Sequence, residues 1–292
     1  MIEKGWRAPM FPTPLQHTRL RTRLLYGALL ASSLLLWLLP LAALALTALR
    51  SMREIHLGHY WTWPTLDHWR DNVQQVFSSS PMWTFLRNSV LITVPAVCGA
   101  LLLASLAGFA LAKFRLPGKL WLLGVFVSGN FVPFQILIIP VRQTMLSLGL
   151  YDQIAGLILF HIAFQVGFCT LFLRNFMQTV PDALLEAARL EGANEWRVYW
   201  SVVLPLMRPA LAALAVLEFT FIWNDYFWAL VLTQSETAQP VTLGLQSLHG
   251  YWVASWHLLS AGALLAALPP VLLFFAMQRH FIAGLSLGAV KQ

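Results

Sequence analysis

Two carboxylates, Glu218 and Asp225, stand seven residues apart in the apolar run from Pro209 to Thr233, with Asn224 beside the second. Seven residues is close to two helical turns, so both acids project from one helix face. His161 and Gln165, four residues apart in another apolar run, also share a face, and Asn130 and Gln135 punctuate a third. Groups of this kind relay a proton, hold a cation, or hydrogen-bond a polyhydroxylated solute beside aromatic walls such as Phe131, Phe134 and Trp228. They also tie one membrane helix to another, which for any one of them is the commoner role.

Hydrolytic chemistry finds little here. No G-x-x-x-x-G-K-[ST] stretch occurs, so the chain is not its own ATPase by the P-loop route. Gly284 to Gly288 fits G-x-S-x-G, but only four residues follow and the expected downstream acid and histidine are missing. H-E-x-x-H and C-x-x-C are also absent. His56, His59 and His68 lie among Tyr60, Trp61, Trp63 and Trp69, which reads as an aromatic belt at a membrane boundary before it reads as a metal site. Cys98 and Cys169 fall inside apolar runs and read as packing residues. No catalytic residue and no metal ligand is expected.

The elements that position these groups follow from composition. The 292 residues are 58% hydrophobic and 11% charged, against roughly a quarter charged in a soluble domain. A bilayer crossing needs about 20 mostly apolar residues. Six runs qualify: about Leu24–Leu49, Asn88–Ala112, Leu120–Val141, Gln153–Leu173, Pro209–Thr233 and Trp256–Gln278. Each must satisfy its own backbone hydrogen bonds, so the expected fold is an all-α membrane protein with six transmembrane helices. The first run is too long for a signal-peptide core and follows a basic tail, so it is read as a retained helix. Pro95, Pro133, Pro140 and Pro269-Pro270 mark kinks.

Of the 19 Lys and Arg residues, 14 fall on inner segments if the amino terminus is inside, including Lys113, Arg115 and Lys119 in one short turn. Both termini are therefore expected in the cytoplasm. Residues 1–23 form an inner tail, 24–280 the six-span domain and 281–292 a second inner tail. The net charge of +7 is explained by this topology, and no nucleic-acid partner is implied.

Residues 180–208 are an island of charge between the fourth and fifth spans. Pro181 suits a first helical turn, and Asp182 and Glu186 place negative charge near that end. The helix is expected to run to about Glu191, where Gly192 supplies a left-handed terminus and Asn194 caps a second helix, Glu195 to Leu204. Trp196, Tyr199 and Trp200 can anchor that helix at the interface. Ala187, Ala188 and Ala193 around Gly192 let another protein's backbone come close, and an aspartate at Gly192 is expected to crowd the turn.

Residues 186–205 read E-A-A, three residues, G, nine residues, then V-V-L-P. This resembles the cytoplasmic "EAA" loop of permease subunits in binding-protein-dependent ABC importers. Glu191 stands where Asp is common, and Val202 where Ile is common. Further stretches resemble the carbohydrate branch of that family, which includes maltose and glycerol-phosphate permeases: "PTLDHW", "FLRNSV", "GFALAKFRLPGK", "VPFQILIIP", "WNDYFWALVL" and "GLSLGAVKQ". The similarity covers nearly everything from Pro64 to the end.

The resemblance implies that the island is a coupling helix-turn-helix seated in a cleft of a cytoplasmic ABC ATPase. Glu186, Ala187, Ala188, Gly192, Ala193, Leu204 and Pro205 would make or shape that contact. ATP and Mg would be held on two copies of the ATPase, leaving no cofactor on this chain. The further partners implied are a second permease, in this branch a different chain, and an extracytoplasmic solute-binding protein. The setting is a prokaryotic inner membrane, and the solute a sugar or sugar-like compound. Asn130, Gln135, His161, Gln165, Glu218, Asn224 and Asp225 are the candidates for the substrate pathway. The alternative is a secondary transporter that uses Glu218 or Asp225 as an ion-coupling site, which leaves the hairpin unexplained.

Overall fold

A computed structural model describes residues 20–59, 62–64, 67–129, 132–249 and 255–289, with side chains throughout except at residues 127 and 279–289. Among the described residues there is no strand. The helices are α1 (Leu20–Ala48), α2 (Met52–His56), α3 (Asp67–Ser79), α4 (Met82–Lys113), α5 (Lys119–Ser128), α6 (Ile138–Ser147), α7 (Ile154–Met177), α8 (Asp182–Leu190), α9 (Glu195–Val198), α10 (Leu204–Leu206), α11 (Arg208–Trp223), α12 (Phe227–Leu232), α13 (Val241–Gly244) and α14 (Trp256–Ala289). A π turn, Tyr199–Val203, joins α9 to α10, so Glu195–Leu206 is one rod.

Among the described residues four helices are long and apolar enough to cross a membrane: α1, α4, α7 and the Trp256–Gln278 part of α14. A fifth is gained if the rod Glu195–Leu206 and α11 count as one span, although their axes meet at 73°. Two of the six expected spans are therefore not continuous helices. The third stops at Ser128 and resumes through a 3₁₀ turn, Phe134–Leu137, into α6. Pro133 lacks the N–H needed to continue α5, whereas Pro140 sits in the first turn of α6, where its missing N–H costs nothing. The fifth stops at Trp223 and resumes at Phe227. Apolar content alone did not register either break.

The most extensive packing is between α4 and α7. Their buried faces are rich in small residues, Ala96, Ala100 and Ala104 on α4 and Gly156 and Cys169 on α7, so the backbones approach closely. At Gly156 an added Cβ would collide with the Leu150 carbonyl. One cluster joins these helices to the charged island through Phe109, Leu173, Met177, Leu185, Tyr199 and Val203. Two further clusters join them to α12 through Phe160, Trp228 and Leu232, and join α4 to α14 through Met82, Phe85, Trp223 and Leu258. Trp223 also donates its Nε1–H to the Ala266 carbonyl at 3.0 Å, which pins α11 to α14. By contrast, α1 is exposed from Leu20 to Ala43, as expected of a helix facing lipid.

Candidate functional site

The island folds as two helices joined by a tight turn. Pro181 precedes α8 in extended geometry. At the far end Gly192 adopts φ +85°, its N–H meets the Arg189 carbonyl, and the Ala193 N–H meets the Ala188 carbonyl, each at 3.0 Å. This is the paired-bond helix terminus that glycine favours. The Asn194 side chain then caps the second helix by accepting from the Arg197 N–H at 2.9 Å. Arg189 forks onto Glu195 at 2.8 and 3.2 Å, clamping the two helices together. The Glu195 hydrogen bond pushes the guanidinium pKa up from its ordinary value.

Contacts distant in sequence hold the hairpin to the bundle. Lys113, at the end of α4, donates to the Val180 carbonyl at 2.6 Å and to Asp182 at 2.7 Å. The Lys113 hydrogen bond and charge hold the Asp182 carboxyl below the usual range. The Tyr199 hydroxyl meets Ser105 Oγ on α4 at 2.6 Å, with both groups buried. Tyr199 is thus a buried anchor, not an interfacial one as its aromatic neighbours suggested. Trp196 and Trp200 are exposed.

Glu186, Ala187 and Gly192 are exposed, Ala188 and Ala193 half-buried, and Leu204 and Pro205 half-buried where the rod meets the bundle. Leu190, at the tip, is 90% exposed. A Cβ on Gly192 would meet nothing within 4 Å. The expected crowding by an aspartate therefore does not arise within this chain; any crowding must come from a partner.

The polar groups of the spans divide into two sets. His161, Gln165 and Cys169 form one buried face of α7, at steps of four. α11 runs beside it: Glu218 is buried next to the Cys169 thiol, and Asp225 lies 3.6 Å from His161 Nε2. One Glu218 oxygen, Oε2, has no hydrogen-bond partner among the described residues. Asp225 accepts from the Trp228 and Ala229 N–H groups at 3.2 and 3.1 Å, capping α12, while Asn224 donates to the Thr220 carbonyl at 2.9 Å and closes α11. The fifth span breaks because these two side chains satisfy the backbone groups the break releases.

The second set is exposed. Gln135 lies on the 3₁₀ turn after α5, and Asn224 at the break between α11 and α12. Asn130 and Phe131 lie outside the described residues, as do the tail residues 1–19, Tyr60, Trp61 and residues 290–292. Among the described residues no cluster of three His, Cys, Asp or Glu can hold a metal ion; His68 instead lies 3.7 Å from Glu54. Sequence reasoning missed Tyr226 and Gln246, both exposed, where Gln246 Nε2 donates to the Tyr226 hydroxyl. It also missed Asp152, at φ +59°, which accepts from the Gln234 and Ser235 N–H groups at 2.7 and 2.9 Å and tethers the end of α12 to the start of α7.

Residues 100–286 match the family described as binding-protein-dependent transport system inner membrane component. A probable ABC transporter permease protein of Pyrococcus horikoshii is 41% identical over 187 residues, 63% of this chain and 68% of that one. An arabinooligosaccharides transport system permease protein of Halalkalibacterium halodurans is 34% identical over 222 residues, 76% and 79%. Among solved structures, a chain of a bacterial ABC transporter involved in the import of the acidic polysaccharide alginate shares the fold with a TM-score of 0.79 at 22% identity, covering 94% of this chain and all of that one.

Proposed function

The chain belongs to the binding-protein-dependent transport system inner membrane components, and on that premise we propose that it is one of two permease subunits of an ATP-driven importer for a sugar or sugar-like solute. It forms half of the translocation path. It crosses a prokaryotic inner membrane six times, with the third and fifth crossings broken and both termini in the cytoplasm. A different permease chain completes the path, an extracytoplasmic binding protein delivers the solute, and two ABC ATPase copies hold ATP and Mg.

The observation that carries this reading is the hairpin. Its tip exposes Leu190 and the small residues around Gly192, while its base is fixed to α4 by Lys113 and by the Tyr199–Ser105 contact. Such a surface suits a docking partner whose movements pass into the bundle. For this to drive transport the ATPase must bind the hairpin differently in its two states, because a partner shifts an equilibrium only by its differential affinity. The ion-coupled alternative, which would use Glu218 or Asp225, loses ground because the chain belongs to this permease family and the Asp225 carboxylate is committed to capping α12, leaving Glu218 as its one candidate.

Purifying a tagged copy from its native host in mild detergent tests the reading. The expected result is recovery of an ATPase and a second permease. A chain that comes out alone and transports on an ion gradient without ATP would overturn it.

A further inference from the structure

Three bases crowd the turn after α4, Lys113, Arg115 and Lys119, and the first of them behaves unlike a base at the end of a membrane helix. Such a lysine ordinarily lays its stem along the apolar surface and carries its ammonium out to water and headgroups. Arg115 is exposed in that way. The Lys113 side chain is instead 5% exposed, although its partner Asp182 is 76% exposed. Its ammonium is held at 2.6 Å by the Val180 carbonyl. An exposed ion pair is worth little, so that carbonyl bond, and not the Asp182 contact, is what commits the side chain.

Val180 sits in the bend between α7, which ends at Met177, and α8, which begins at Asp182. The Thr179 and Val180 N–H groups return to the Phe176 and Met177 carbonyls at 3.0 and 3.2 Å. Pro181 then leaves the helical region, at φ −61° and ψ 131°, and has no N–H to stiffen the step. Apolar packing of Val180 and Leu185 covers the bend, but such packing has no direction; the Lys113 bond supplies one. A second support lies eight residues earlier on α4, where Ser105 meets the Tyr199 hydroxyl at 2.6 Å. Eight residues span about 12 Å. Arg189 and Glu195 clamp α8 to the second helix of the hairpin, so both supports act on one body. A body held at one point turns in any direction, whereas a body held at two turns about the line through them. Here that line runs lengthwise beside α4, the helix most extensively packed against α7.

We propose that Lys113 is a positioning residue for ATP coupling, the second of two pins on α4 that give the docked hairpin a single axis of rotation. The proposal rests on the importer reading and adds the residue that directs the movement. With Lys113 gone, part of any displacement at the tip is taken up as play at the 178–181 bend and does not reach the spans. Coupling between two sites is reciprocal, so the same play weakens a signal passing from a binding event on the far side to the ATPase.

The test uses the complete importer in proteoliposomes, with its own partner subunits and with its binding protein as purified from the native host. ATP hydrolysis is measured with and without that binding protein, and the ratio is the readout. In Lys113→Met the stimulation should fall at least threefold, while membrane yield, ATPase co-purification and unstimulated hydrolysis stay within twofold of the parent. Lys113→Arg, which keeps a cationic donor, should retain at least half of the stimulation. Asp182→Asn should retain most of it, because the Val180 bond remains. Tyr199→Phe removes the other pin. One axis needs both pins, so the double variant Lys113→Met with Tyr199→Phe should lose no more than the worse single variant, where independent losses would multiply. Full stimulation in Lys113→Met, an equal loss in Lys113→Arg, or multiplying losses in the double variant would overturn the proposal while the importer reading stands. A fall in yield or in bound ATPase that accounts for the lost stimulation would reduce Lys113 to a prop for folding and overturn it as well. A parental complex without an ATPase, or one that its binding protein does not stimulate, would overturn the importer reading itself.

Discussion

Replacing Gly192 separates what the turn needs from what its partner needs. At φ +85° a side chain costs about 1–2 kcal/mol for most residues, and less for Asn or Asp, whose short polar groups tolerate the left-handed region. No steric penalty adds to this, because a Cβ meets nothing within 4 Å. Gly192→Ala should therefore weaken the closed turn by about 1 kcal/mol, a factor of roughly five in its population. Gly192→Asn should retain most of the parental uptake. Gly192→Asp has nearly the same conformational preference as Asn, so within this chain the two are equivalent. They differ only by a negative charge next to Glu191, on the surface assigned to the ATPase. The assay is ATP-driven uptake by the reconstituted complex, with membrane yield and ATPase co-purification measured alongside. Gly192→Asp is expected to lose at least tenfold in uptake relative to Gly192→Asn at equal yield. Uptake by the two variants within twofold of each other, near the parental rate, would refute a docked role for the turn.

Tyr199→Phe leaves Ser105 bonded to the Leu102 carbonyl and should cost about 1 kcal/mol, whereas Ser105→Ala strands a buried tyrosine hydroxyl and should cost about 1–3 kcal/mol; thermal melts in detergent that reverse this order would count against the anchor. At Asp152 burial raises the carboxyl pKa, but hydrogen bonds from Gln234 and Ser235 outweigh it and leave the value lowered from 3.8. A depressed native pKa means that this stability is present above 3.8 and is lost as pH falls through the native value. Melting temperature should therefore fall more steeply on acidification below that point in the parent than in Asp152→Asn, and parallel curves would remove the tether. Gly244→Ala drives a methyl into the Phe85 ring and should sharply reduce folded yield, by overpacking worth about 1–3 kcal/mol. Phe85→Val should recover part of that yield, and no recovery would place the fault elsewhere.

The hairpin was readable because its signals are local. Pro181, Gly192 and Asn194 each act through a backbone preference that neighbouring residues do not override, and the helix ends fall within about two residues of expectation. The broken spans were not readable from apolar content. Residues 120–141 are uniformly apolar around Asn130 and Gln135, and hydrophobicity measures affinity for lipid, not continuity of hydrogen bonding. Asn224 and Asp225 stand out in the sequence as polar residues in a span, and their geometry shows helix capping, a use that any polar pair in a span can have. Tyr199 was misplaced because an amphipathic ring near a boundary suits either water or a buried hydroxyl, and its partner Ser105 is 94 residues away. The Lys113–Asp182 strap spans 69 residues and carries no local signal at all.

The rod from Glu195 to Leu206 has a mechanical property of its own. Its Tyr199 contact with Ser105 divides it unequally, with four residue steps back to Glu195 and eight forward to Met207, where it joins α11. At about 1.5 Å per residue these arms are about 6 and 12 Å. If a docked partner drives the hairpin, as proposed, a stiff rod turning about that contact would act as a lever with a gain of about two, so a displacement of 1 Å at the Glu195 end would become about 2 Å at the foot of α11. The fulcrum belongs to α4 and the output to α11, so the same stroke would shear one against the other.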